Sequence, residues 1–232
     1  MISAIERNLI LYKILHEDKH LLVIDKLSTV PCIRLGDSSG LSDELILEYP
    51  GLVKIPDYGF THRLDNETLG AVIVAKDLET YEKIRLDFDS SRISKTYHAR
   101  VSGVVEADEG CVELPIAHSL KSAKKMLVVR DGYRVYRGQP RQACTKWKVL
   151  SRSSGTTDLA LSTNTGVRHQ IRVHLLSIGH PICGDRLYNK DFLSHPSLML
   201  ICKRIEFTHP RSEEKMAINS ELELNNMFKE FY

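Results

Sequence analysis

Three stretches of the chain carry residues whose types and spacing could do chemistry. The first is His62-Arg63-Leu64-Asp65, inside residues 58–76, where turn-like sequence runs into an apolar strand. A carboxylate held beside an arginine against a hydrophobic run is costly unless it is paired. Ionised there, Asp65 could act as a nucleophile or a base. As a plain structural residue it would cap a turn. His-Arg-x-Asp is also the order of a kinase catalytic loop, but no G-x-G-x-x-G loop, strand lysine motif or D-F-G accompanies it.

The second stretch is Lys95-Thr96-Tyr97. On a strand, Lys95 and Tyr97 share a face. Tyr97 could stack on a base or use its hydroxyl in proton transfer, or it could be a sheet aromatic beside a snorkelling lysine. The third is Gly166-Val167-Arg168-His169-Gln170-Ile171-Arg172-Val173-His174. Read as a helix, it stacks Arg168 and Arg172 on one face, four residues apart. Ile171, Leu175 and Ile178 then face the core. Two like charges near a helix N-terminus call for an anion, a phosphate or a carboxylate; the plain alternative is two exposed arginines with separate salt bridges. His62, Asp65, His169 and His174 could ligate a metal in principle. Residues 169 and 174 are five apart, however, whereas helical zinc ligands stand at i and i+4, so no metal site is expected.

These residues need elements to position them. Leu21–Asp25 reads as a strand, 27–40 as a loop, and Ser42-Asp43-Glu44 as the capped start of a helix ending near Pro50-Gly51. Residues 70–75 read as a buried strand. Asp77 then caps a helix through about Phe88, with Leu78, Tyr81, Ile84 and Leu86 or Phe88 facing the core. A strand is expected over 93–105, ending at Gly103, and short strands near 111–114, 126–130, 133–136, 143–150 and 158–163. Gly138-Gln139-Pro140 breaks the basic stretch. The helix over 168–178 is stopped by Gly179-His180-Pro181. Strands over 198–207, closed by Thr208-His209-Pro210, and near 215–218, with a last amphipathic turn or helix over 224–231, complete the chain. Strands outnumber helices and few are joined by helical crossovers. The expected class is α+β, one domain with a mixed, mainly antiparallel central sheet flanked by helices and loops.

Composition narrows the partners. Of 232 residues, 42% are hydrophobic and 27% charged, ordinary for a globular chain with a real core. No run of about 18 apolar residues is present, and the N-terminus lacks the pattern of a secretory signal. The five cysteines show no C-x-x-C spacing, which points to reduced thiols and a cytoplasmic protein. Net charge is only +2, but it is unevenly spread: His118–Arg152 holds ten Lys or Arg against one acid, Asp131. Residues 1–60 hold six basic and nine acidic residues. Such asymmetry suits a polyanion on one side. Tyr133, Tyr136 and Trp147 interleave with the basic residues, which favours nucleic acid over a solvated lysine-rich hairpin.

Taken together and in order, these segments resemble the RluA-type family of pseudouridine synthases over most of the chain. H-E-D-K-H-L-L-V-I-D-K looks like the family's first strand pair, and H-R-L-D-N-E-T-L-G like its H-R-L-D-x-x-T-S-G loop. K-T-Y matches its K-x-Y motif. T-G-V-R-H-Q-I-R-V-H, with G-H-P-I-C-G-D-R-L-Y after it, looks like its G-R-x-H-Q-[IL]-R-x-H…G-H-P-I-x-G-D-x-x-Y block, and F-T-H-P also fits. The resemblance implies the pseudouridine synthase fold and isomerisation of uridine to pseudouridine in ribosomal or transfer RNA, without a cofactor. It implies Asp65 as the essential carboxylate, Tyr97 as the residue that stacks on the base and assists proton removal from carbon 5, and Arg172 as the partner that keeps Asp65 ionised. Arg63 would hold or replace the extruded nucleotide. RNA contacts would come from His62, Lys95, Lys121, Lys124, Lys125, Arg168, His169 and Gln170. The chemistry agrees: a carboxylate charged in a closed site needs a guanidinium, and the base must be flipped to be reached. Attack on the sugar, attack on the base and a glycal route all stay open.

Leu69 stands where the family has Ser, Val167 where it has Arg, and Leu27 where Pro is common. None of them is Asp65, Tyr97 or Arg172, so they bear on specificity. The reading expects a monomer without an obligate protein partner or a separate N-terminal RNA-binding domain. The rival readings are a non-catalytic RNA-binding or chaperone protein and a metal-dependent hydrolase.

Overall fold

The structure is a computed structural model, which describes residues 10–34, 36, 38–132, 135–163 and 165–227. In chain order, strands β1 (Tyr12–Glu17) and β2 (Leu21–Lys26) precede helix α1 (Leu41–Glu48). Strand β3 (Leu69–Ala75) and helix α2 (Leu78–Asp89) follow. Then come β4 (Ser94–Ser102), β5 (Glu109–Glu113), β6 (Ile116–Ser119), β7 (Met126–Val128) and β8 (Tyr136–Arg141). After these run β9 (Cys144–Ser153), β10 (Thr156–Thr163), helix α3 (Gln170–Ser177), β11 (Leu200–Thr208) and β12 (Lys215–Asn219). The class is the expected α+β, with a mixed, mainly antiparallel sheet.

The chain forms two compact units, one from Met1–Ser90 with Arg204–Tyr232 and one from Ser91–Lys203. In the first, β1, β2 and β3 form an antiparallel meander, with Val23 opposite Ile73. Every residue of β2 and β3 is buried, which is why β3 and Leu21–Ile24 of β2 read as continuous apolar runs rather than alternating ones. Asp77 caps α2 as expected, its Oδ1 accepting the Thr80 N–H at 2.8 Å. Tyr81 and Ile84 face the core, but Leu78 and Leu86 are exposed; Thr80 takes the buried place beside Tyr81. Helix α1 begins before Ser42: Gly40 is its N-cap, and the Asp43 carboxylate accepts the Gly40 N–H at 2.8 Å.

In the second unit, β4, β10, β9 and β5 are neighbours in that order, all antiparallel, with Tyr97 opposite Leu161 and Lys95 opposite Thr163. A small sheet ordered β7-β6-β8 spans the first part of the basic stretch, and Lys146, Lys148 and Arg152 lie on β9. Strand β6 has no counterpart among the expected elements. Gly138-Gln139-Pro140 lies inside β8 rather than breaking the chain. Pro140 is tolerated because β8 is an edge strand, whose outer N–H groups need no partner. Tyr133 and Arg134, part of the strand expected over 133–136, lie outside the described residues, as do 228–231 of the expected last helix.

Helix α3 packs Val173 into a cluster with Ile116, Met126, Ala143 and Val167. It ends on a Schellman motif: His180 N–H donates to the Leu175 carbonyl and Gly179 N–H to that of Leu176, both at 3.0 Å, with Gly179 at φ 87°. Its start differs from expectation. His169 sits in the left-handed region at φ 55° and the helix begins at Gln170, so Arg168 lies in the preceding turn, exposed, and does not stack on Arg172. Nor is there one apolar face: Gln170, Ile171, Arg172, Val173, His174 and Leu175 are all buried. The polar three are accommodated by specific partners.

Candidate active site

The loop that carries Asp65 is pinned from several sides within the first unit. Phe60 bridges to Val74 and is fully buried, and Thr61 N–H donates to the Ile73 carbonyl. His62 follows, 8% exposed, with its Nε2 accepting the Ile73 N–H at 3.1 Å and its ring 4.7 Å from that of Phe88. Leu64 is buried. A tight turn then closes where Thr68 N–H donates to the Asp65 carbonyl at 3.0 Å. The loop thus alternates: His62 and Leu64 turn inward, Arg63 is exposed, and Asp65 is half-buried.

The grip under this turn is Lys26, which has no exposed surface. Its Nζ donates to the Ser28 carbonyl, to that of Asn66 at 2.6 Å and to that of Thr68 at 3.2 Å. Burial pulls its pKa down to about 8, while the charges of Asp65 and Glu67 act in the opposite direction. Three carbonyl acceptors further favour the ammonium. Nothing in the sequence marks Lys26 for this role, because a lysine ending a strand ordinarily points to solvent. Lys26→Met is expected to leave these carbonyls without a donor and to lower stability by about 2–3 kcal/mol, since an orphaned buried acceptor costs about 1–3 kcal/mol. The urea midpoint should fall without a change in slope, and a midpoint like that of the parent chain would show that water replaces the clamp.

In the second unit, β4 presents Lys95 and Tyr97 on one face. Tyr97 is 7% exposed. Lys95 is held below its ordinary pKa by burial. Arg172, 3% exposed, makes a two-pronged ion pair with Asp185: Nε to Oδ2 at 2.8 Å and one Nη to Oδ1 at 2.7 Å. Asp185 Oδ1 also accepts the N–H groups of Leu187 and Tyr188. Gly184 makes this close turn possible: at φ 73°, any Cβ there would lie 1.8 Å from the Ser197 carbonyl oxygen. The expected anion for Arg172 thus includes a carboxylate from the G-D-R-L-Y segment.

Tyr188 ties these residues to the basic hairpin. Its hydroxyl accepts the Met126 N–H at 2.8 Å and bonds His169 Nδ1 at 2.7 Å, and its ring lies 5.2 Å from the Arg172 guanidinium. Lys125 sits 5.9 Å over the same ring, within cation–π range. Lys121, Lys124 and Lys125 are exposed on the β6–β7 connection, as Arg168 is before α3. His169 and Gln170 are buried. Gln170 donates to the Cys144 carbonyl at 2.9 Å and accepts the Val167 N–H at 3.2 Å, holding the turn before α3. His174 bonds Thr145 Oγ1 at 2.9 Å and the Leu114 carbonyl at 3.0 Å, and burial lowers its pKa. Asp185 and Tyr188 were missed as site residues, although G-D-R-L-Y stands within the motif block.

A family model described as RNA pseudouridylate synthase matches residues 20–177. The chain belongs to the RNA pseudouridylate synthase family. Within this family, it is 34% identical over 222 residues to ribosomal large subunit pseudouridine synthase D of Nitrosomonas europaea, covering 90% of this chain and 62% of that protein. It therefore spans less than two thirds of that relative's length. It is 30% identical over 221 residues to the dual-specificity RNA pseudouridine synthase RluA of Yersinia pestis, covering 90% of this chain and 98% of that one. These relatives place the chain in the RluA-type branch of that family. The structure of human RNA pseudouridylate synthase domain containing 1 shares the fold, with a TM-score of 0.75, 21% identity and 94% of each chain covered.

Proposed function

We propose that the chain isomerises uridine to pseudouridine in RNA, with Asp65 as the catalytic carboxylate. The observation that carries this is the Asp65 loop: a half-buried carboxylate at a turn clamped by a fully buried ammonium, within the span matched by the family model. The bond from C1′ to N1 of the base breaks, the uracil turns, and a bond from C1′ to C5 forms. C5 loses a proton and N1 gains one, so the reaction needs no net redox change and no cofactor.

Tyr97 stacks on the flipped base and assists proton removal at C5. Arg172 is the proposed partner of Asp65. A guanidinium has five N–H donors and Asp185 engages it through Nε and one Nη, so one arginine can serve two carboxylates. Arg63, exposed beside Asp65, supports the displaced nucleotide. The ammonium groups of Lys121, Lys124 and Lys125, with Arg168, supply phosphate contacts, while His62, Lys95, His169 and Gln170 shape the RNA-facing elements. We infer ribosomal or transfer RNA as substrate, one catalytic domain, a monomer without an obligate protein partner, and action in the cytoplasm. Among the described residues no helix is long and apolar enough to cross a membrane.

Large-subunit ribosomal RNA and transfer RNA transcripts carrying tritium at C5 of uridine test this proposal. Incubation with the full chain should release tritium to water from a small set of uridines in one of the two pools, and mapping should find pseudouridine there. RNA binding without release in either pool would leave a binding protein instead.

A further inference from the structure

Strands β5 and β9 bring two thiols and a carboxylate together. Glu113 is opposite Cys144, and Cys111 is opposite Lys146. Residues two apart on a strand share a face, so Cys111, Glu113 and Cys144 project together. Their Sγ atoms lie 3.2 Å apart, and Glu113 Oε1 lies 3.8 Å from Cys111 Sγ and 3.6 Å from Cys144 Sγ. Cys111 and Glu113 are exposed and Cys144 is half-buried. We propose that these three residues bind one thiophilic divalent cation of the zinc class, leaving its fourth position open to solvent.

The geometry favours a cation over a disulfide. Cys111 and Cys144 are diagonal, not facing, neighbours across the pair. Such Cα atoms stand about 7–8 Å apart, beyond the usual limit of about 6.8 Å for a disulfide. A tetrahedral zinc with bonds of about 2.3 Å to sulfur and about 2.1 Å to oxygen needs edges of about 3.6 Å between S and O and about 3.8 Å between the sulfurs. Both S–O edges already fit, and the S–S edge must open by roughly half an ångström, within reach of side-chain rotation. Each thiol releases its proton to solvent as its sulfur binds. Two thiolates, one carboxylate and a 2+ ion leave one negative charge, with the exposed Lys146 directly opposite Cys111 to balance it.

The site touches the family motif. The Cys144 carbonyl accepts the Gln170 amide at 2.9 Å, and the neighbouring Thr145 hydroxyl bonds His174 at 2.9 Å. A cation joining β5 to the first residue of β9 would therefore brace the seat of α3.

The test is a cobalt titration of the reduced, metal-free full chain. One equivalent of cobalt(II) should raise a thiolate-to-cobalt charge-transfer band and the intense visible bands of a tetrahedral ion. Zinc should displace it and raise the melting temperature. Cys111→Ser should lose the charge-transfer band and the zinc shift. Glu113→Gln, which keeps both sulfurs, should keep the band and bind more weakly. Circular dichroism checks that each variant folds, and Cys32, Cys183 and Cys202 remain in all of them. No stoichiometric cobalt signal, an undiminished signal in Cys111→Ser, or a chain that only oxidises to a Cys111–Cys144 disulfide would each overturn the proposal.

Discussion

RNA incubated with the Asp65→Asn chain is expected to gain pseudouridine at a rate lower by on the order of 10⁴-fold, the scale seen when one charged member of a catalytic group is neutralised. The substitution separates the two roles open to this residue. As a turn residue, Asp65 contributes its main-chain carbonyl to the Thr68 N–H, and an asparagine keeps that bond and tolerates the same turn. As a catalytic carboxylate it contributes charge, and asparagine has none. A merely structural Asp65 would thus leave tritium release near the parent rate. The proposed role requires release to vanish while circular dichroism and the urea midpoint stay within about 1 kcal/mol of the parent, since the side chain is only half-buried. Asp65→Glu sharpens the result. It keeps the charge but moves the carboxylate by one methylene, and a displacement of about 1 Å at a reacting group costs about 10²-fold. A rate ordered Asp, then Glu, then Asn identifies a positioned charge. Equal losses for both variants would instead show that the loop itself is being disturbed.

Much of the fold was legible in the sequence where its signals are local. The continuous apolar run of β3, the Asp77 cap and the Gly179 stop each follow from a short-range rule, and each element stands within a residue or two of its expected place. The misreadings share a different cause. Helix α3 looks amphipathic only if Arg172, His174 and Gln170 are assumed to seek water. Their partners, Asp185, Thr145 with Leu114, and Cys144 with Val167, are supplied by segments up to 60 residues away. Strand β6 is four residues long and exists because β7 and β8 pair on either side of it. Leu78 and Leu86 are exposed because a helix lying on a sheet buries a narrow stripe, here Thr80, Tyr81 and Ile84. The Cys111–Glu113–Cys144 group depends on the register of β5 against β9, which no spacing of cysteines along the chain reveals.

Arg172 should prove the most destabilising polar position to truncate. Its partner Asp185 has no exposed surface, so Arg172→Ala strands a buried carboxylate, a defect that costs about 3–5 kcal/mol. Against a total stability of about 5–15 kcal/mol, this should appear as a large drop in the urea midpoint. Activity will fall as well, and the single variant cannot say why. Arg172→Met combined with Asp185→Asn can. The pair is uncharged and close to the original volume, and the new amide oxygen can still accept the N–H groups of Leu187 and Tyr188, both of which bond Oδ1. Stability should recover by at least half of the loss measured for Arg172→Met alone. If Arg172 matters only through Asp185, tritium release recovers with it. If Arg172 also holds Asp65 ionised, release stays at the level of the single variant while RNA affinity stays near that of the parent. Charge reversal at Lys121, Lys124 and Lys125 should do the opposite and weaken binding in a salt-dependent way. Stability restored without catalysis would identify the guanidinium itself, not the folded helix around it, as what the reaction requires.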